Sequence, residues 1–126
     1  MDRKFIVIAL SYAIIGMLLG IAMAISQDHG QLVTHAHIML AGFVVSFVYG
    51  LCHKLWLGSP GPMAQVQFYL HQVGVAVLVV GLFLLYGNFV PGEKLEPVLA
   101  SASLAVLAGM VLMLALVLKA PKGTSS

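Results

Sequence analysis

Four long apolar runs are separated by short stretches rich in polar residues, glycine and proline. They fall at roughly Phe5–Ser26, Leu32–Trp56, Gln65–Tyr86 and Leu95–Lys119. Each is close to the ~20 residues with which a helix crosses the hydrocarbon core of a bilayer. The apolar residues run on without alternating with polar ones, which excludes the strands of a membrane β-barrel. The pattern predicts an all-α membrane protein, a four-transmembrane-helix up-down bundle forming a single domain over residues 1–119, with a disordered tail at 120–126.

Composition strengthens this reading. Hydrophobic residues make up 61% of the chain and charged residues 8%, whereas a soluble domain carries about 25% charged residues. Too few charges are present to cover a water-facing surface, so the lipid bilayer is the expected surrounding. The net charge of +2 is spread without a Lys/Arg run, and nucleic acid is not an expected partner. A single cysteine, Cys52, excludes an internal disulfide and a cysteine-based zinc or iron–sulfur cage within one chain. It reads as a small packing residue.

The first run begins after Asp2-Arg3-Lys4 and holds Ala22-Met23-Ala24, features shared with a signal peptide. Its apolar stretch exceeds the ~7–15 residues of a signal h-region, so it is read as a spanning helix. Its Gly16-x-x-x-Gly20-x-x-x-Ala24 stripe, like Gly74 and Gly81 in the third run, allows neighbouring helices to approach closely. Arg3, Lys4, Lys54, Lys119 and Lys122 fall on one side of a four-span topology, and Lys94 on the other. By the positive-inside bias, both termini are expected in the cytoplasm, in a bacterial inner membrane.

Candidate chemistry centres on Thr34-His35-Ala36-His37-Ile38-Met39-Leu40, at the start of the second run. Ionisable side chains inside a span are costly and by default mark a site. On a helix, residues two apart point about 200° away from each other, so His35 and His37 address different neighbours. That geometry suits a flat cofactor clasped between helices and poorly suits a small ion. Ile38, Met39, Leu40, Phe43 and Phe47 would supply apolar walls, and Gly42 would let a ring approach the backbone. His35 and His53 share a helix face but lie about 27 Å apart along the axis. His53, with Lys54 and Trp56, reads as an interfacial anchor. His29 lies in the first loop, where it reads as solvated or interfacial, with capping of a nearby cofactor edge as the alternative. His71 sits among Gln65, Gln67, Tyr69 and Gln72 in the first turns of the third helix, somewhat deeper than His53 in the inner half of the membrane and far in depth from His37. It could pair with His53, bind a second haem or a quinone headgroup, or bond to backbone. Three readings of the histidines stand side by side: haem ligation, a transition-metal or proton-transfer site, and polar glue between helices.

The Thr34–Leu40 segment, on a small-residue-rich helix ending His53-Lys54-Leu55-Trp56, resembles the tenth transmembrane helix of heme-copper oxidase subunit I. Gln67-Phe68-Tyr69-Leu70-His71-Gln72-Val73-Gly74 is similar to the start of that family's eleventh helix. Thr34-His35 followed by Ile38-Met39 is also similar to its second helix. The family's subunit is three four-helix arcs with pseudo-threefold symmetry, and this chain resembles one arc. The resemblance implies a homotrimer in which His37 of one protomer and His35 of its neighbour are axial ligands of one low-spin haem b, with His71 a secondary cofactor-binding candidate. It implies electron transfer, with quinol or a periplasmic cytochrome as partner. Nothing in the chain matches the family's His-His pair or cross-linked tyrosine at the copper site, so oxygen reduction is not expected of it, and the acids all lie in loops or at the N-terminus. The other classes are a metal- or haem-handling accessory protein for oxidase assembly and a purely structural membrane protein.

Overall fold

A computed structural model describes residues 1–57 and 61–120. Gly58, Ser59 and Pro60 of the predicted second loop and residues 121–126 of the predicted tail lie outside the described residues. The described chain is all-helical, with four helices long and apolar enough to cross a membrane: α1 (Asp2–Ser26), α2 (Leu32–Leu57), α3 (Pro62–Tyr86) and α4 (Gly92–Lys119).

The helices end within one residue of the sequence expectation, but α1, α3 and α4 each begin three residues earlier. Helix starts tolerate residues that hydropathy places outside. Asp2 and Glu93 lie in the first turns of α1 and α4, where the positive end of the helix dipole favours an acid. Pro62 opens α3, at a position whose N–H has no intrahelical partner to lose. Gln27 closes α1 in the left-handed region, at φ 59°.

Helices α1 and α2 form one antiparallel hairpin, and α3 and α4 a second. Small residues set both contacts. A Cβ added at Gly16 would collide with Met39, and one at Gly20 would lie 3.1 Å from the His35 ring. In the second hairpin, a Cβ at Gly74 would lie 3.0 Å from Val106, and one at Gly81 2.7 Å from Leu99. The small-residue stripes therefore act as packing surfaces.

Much of α2 is wound as π-helix, over Ile38–Val45 and again over His53–Leu57. A π-segment widens the turn and changes which way successive side chains and carbonyls point. Gly42 lies in the first of these segments. The ring that approaches its backbone belongs to Tyr12 of α1, since a Cβ on Gly42 would lie 2.6 Å from Tyr12 Cγ. The space expected to admit a cofactor at Gly42 is thus filled by the protein itself.

Helix α3 is the most enclosed of the four and α4 the least. The buried face of α3 comprises Ala64, Gln67, Phe68, His71, Gly74, Val75, Leu78, Gly81 and Leu82, which recur three and four residues apart. Large apolar side chains cover the outside of the bundle, among them Ile14, Leu18, Val73, Val80, Leu107 and Leu114. In water such a surface would drive association; in a bilayer it is the solvent-exposed face.

Candidate functional site: two histidine regions

The predicted site residues fall into two regions. The first is the turn that carries His35 and His37. His35 Nδ1 lies 2.8 Å from the carbonyl of Gly16 in α1. The two glycines of α1 are what let this ring enter the crevice between α1 and α2, because a side chain at Gly20 would occupy the place of the ring. His37 turns the other way, and its Nδ1 lies 2.8 Å from the carbonyl of Val33 one turn back on its own helix. The splay expected from the spacing is present. A carbonyl oxygen only accepts, so in both rings Nδ1 is the donor and the neutral ring keeps its lone pair on Nε2. This is the arrangement in which a backbone carbonyl fixes the tautomer of a ligating histidine. Both rings are half-buried.

Beside them, Thr34 is fully buried and donates to Gln31 Oε1 at 2.7 Å. Gln31 Nε2 donates in turn to the Phe83 carbonyl of α3 at 3.0 Å, which ties this end of α2 to the second hairpin. Phe43 and Phe47 meet edge to face, with ring centroids 6.2 Å apart.

The second region lies inside the bundle and was only partly foreseen. His71 has no exposed surface. Its Nε2 donates to the Ala41 carbonyl of α2 at 3.1 Å, and its ring meets that of Tyr49 edge to face, centroids 4.8 Å apart. Ala41 lies one turn past His37, so His71 sits closer in depth to His37 than expected. Of the roles open to His71, backbone bonding is the one observed, with Nδ1 lacking a protein partner. It does not pair with His53.

Around His71, Gln67 Nε2 donates to the Gly109 carbonyl at 3.3 Å. Gln72 Nε2 donates to Ser46 Oγ at 3.2 Å, and the Tyr49 hydroxyl donates to Met110 Sδ at 3.2 Å. The Gln72 and Tyr49 bonds link α2 to α3 and α4 across the two hairpins, and the Gln67 bond joins α3 to α4 within the second. Residue spacing gave one usable signal for them: Gln67, His71 and Gly74 recur on one face of α3. Ser46 and Tyr49 gave none, because the π-wound stretch before them breaks the 3.6-residue phase.

His53 departs from its expected role. Lys54 and Trp56 are exposed, as anchors at a membrane edge would be, but His53 is buried at 3% exposure. It stacks on Phe5 of α1, with centroids 5.2 Å apart and planes 19° from parallel. His35 and His53 do share a face, and it is the face turned to α1. Phe5 itself is fully buried and also packs edge-on against Tyr49 and Phe68. His29 is exposed in the first loop.

Among the described residues, no group of three or more His, Cys, Asp or Glu side chains is gathered as a metal cage. A bis-imidazole haem site needs only two protein ligands and is not addressed by that observation. A large groove of about 810 Å³ runs between α3 and α4, lined by Gln65, Tyr69, Val73, Gly74, Pro97 and Ser101 among others. Neither His35 nor His37 lines it. Compared with known proteins, the chain matches no family model, no curated protein sequence and no solved structure.

Proposed function

We propose that the chain is a haem-b-binding membrane protein of electron transfer, in which His35 and His37 provide axial imidazoles to haem shared between protomers. The observation that carries this reading is the state of the two rings. Each has Nδ1 committed to a backbone carbonyl and a lone pair left on Nε2, which is the form in which imidazole ligates iron. When bound, haem would supply a one-electron carrier within the apolar layer. The residues of this chain would hold and orient it. The Gly16 carbonyl fixes the His35 ring, the Val33 carbonyl fixes the His37 ring, and Ile38, Phe43 and Phe47, further along α2, would supply apolar walls to the macrocycle.

One chain offers ligands that diverge, so a single protomer cannot close both faces of one macrocycle. The reading therefore includes assembly with further copies, as a homotrimer on the analogy with one four-helix arc of heme-copper oxidase subunit I. It also includes a bacterial inner-membrane location with both termini cytoplasmic. This orientation rests on Arg3, Lys4, Lys54 and Lys119 gathering at one end of the bundle. Quinol or a periplasmic cytochrome is the proposed redox partner.

A second reading, polar glue between helices, is favoured by the interior region alone, where His71, Gln67 and Gln72 bond across helices. The two readings separate in one experiment. The protein is purified in detergent after expression with a haem supply, and its spectrum is recorded oxidised and reduced. Sharp α and β bands on reduction, lost in His37→Ala and retained in His71→Asn, are expected. A colourless wild-type protein would refute haem binding and leave the structural reading.

A further inference from the structure

Among the described residues, four side-chain atoms buried in the bundle have no protein hydrogen-bond partner: His53 Nε2, Gln67 Oε1, His71 Nδ1 and Gln72 Oε1. Orphaned polar atoms in a low-dielectric interior are costly, and buried polar groups are as a rule satisfied by protein or by internal water. These four are not scattered. Gln67 and His71 lie one turn apart on the buried face of α3, and Gln72 is the next residue. The side chains of Gln67 and His53 lie close to one another, though His53 Nε2 and Gln67 Oε1 do not reach the geometry of a full hydrogen bond.

The row has an open end and a closed end. At the end of the bundle where α2 and α4 finish, His53 lines a cavity of about 230 Å³ together with Leu57, Pro62, Leu116 and Lys119. That volume exceeds several-fold the ~30 Å³ of liquid that one water occupies, and the Lys119 side chain is exposed at its rim. Beyond His71, in the opposite direction, the buried face of α3 continues as Gly74, Val75, Leu78, Gly81 and Leu82, none with a polar side chain, and Ile38 of α2 is also buried. Leu78 and Leu82 pack with Ala102 in an apolar cluster that offers water no partner.

We infer that the bundle holds a hydrated polar file that enters at the His53 cavity, passes Gln67, and ends at His71. Its ligand is water, bound one molecule at a time between side chains. Because Nε2–H of His71 is committed to the Ala41 carbonyl, the lone pair on Nδ1 faces the file and accepts a hydrogen bond from the last water. The file gives the centre of the membrane layer contact with bulk water from one end only. Nothing in it depends on haem, so it holds for either reading of the protein's function.

The test is water-edited solid-state NMR on the full chain in lipid bilayers, with labelled His, Gln, Val and Leu. Magnetisation from water should reach the side chains of His53, Gln67 and His71 on the same short timescale, and reach Val75 and Leu78 only slowly. Gln67→Leu should abolish the fast transfer to His71 while leaving that to His53. His71 as slow as Val75 in the wild-type protein would overturn the file, and Leu78 as fast as His71 would overturn its closed end. The wild-type comparison decides the matter even where the variant folds poorly.

Discussion

His37 and His71 are both histidines within membrane spans, and the carbonyl that binds His71 is one turn from His37. They are nevertheless held in opposite ways. His37 bonds backward to Val33 on its own helix, a contact that any helix with a histidine at this position could make. It ties α2 to nothing else. His71 is fully enclosed and reaches across to Ala41 of the other hairpin. Burial and a cross-helix bond tie His71 into the fold, whereas partial exposure and a local bond leave His37 out of the contacts between the hairpins. The type of side chain does not separate the two roles. What separates them is enclosure: His71 has no exposed surface, whereas the His37 ring is only half-buried.

The difference can be challenged by mutation, with unfolding in mixed detergent micelles as the readout. The largest effect is expected for His71→Ala. It removes a buried ring and leaves the Ala41 carbonyl short of a donor, so about 2–4 kcal/mol of stability should be lost. A loss below about 1 kcal/mol would mean that His71 does not join the hairpins. Next comes Gly16→Val, which drives a branched side chain into Met39 and Ile38. Overpacking of this kind costs about 1–3 kcal/mol, and because it also displaces the carbonyl that holds His35, haem content should fall with it. Unchanged haem in a destabilised Gly16→Val protein would detach the His35 site from the α1 contact.

Smaller still is Ser46→Ala, which takes the partner of Gln72. Side-chain bonds between membrane helices average about 0.6 kcal/mol, and a loss near that value is expected. His37→Ala should change protomer stability least, by less than about 0.5 kcal/mol, while abolishing the reduced haem spectrum. A large loss of stability in His37→Ala, measured without haem, would erase the contrast between the two regions.

Much of the architecture was legible. Apolar runs located the helices and their ends, while three of the starts lie three residues before the runs begin, with Pro62 opening α3 where a breaker loop was expected. The Gly16/Gly20 and Gly74/Gly81 spacings pointed to the close helix contacts that are present. The first histidine turn was legible too, because an ionisable pair inside an apolar run stands out and the two-residue spacing fixes its splay. The interior region was less so. Gln67 and His71 shared a helix face, but nothing said whether that face met lipid or protein. In a soluble helix the apolar stripe answers that question; a membrane helix is apolar all round and gives no such asymmetry. His53 was misplaced for a related reason. Next to Lys54 and Trp56 it matched an interfacial anchor, and only the stacking of Phe5 on its ring shows that it turns inward.

The sequence by itself determined that the chain is four helices of membrane-crossing length, where they end, which small residues pack, and that His35 and His37 diverge. These follow from hydropathy, chain length and the 3.6-residue repeat, which are local quantities. Only the tertiary structure decided which carbonyl each histidine meets, that Tyr12 fills the space at Gly42, and that His53, Gln67 and His71 line up inside the bundle. Those outcomes depend on the rotation of one helix against another. In α2 that rotation is set by π-wound segments, which no residue pattern announced.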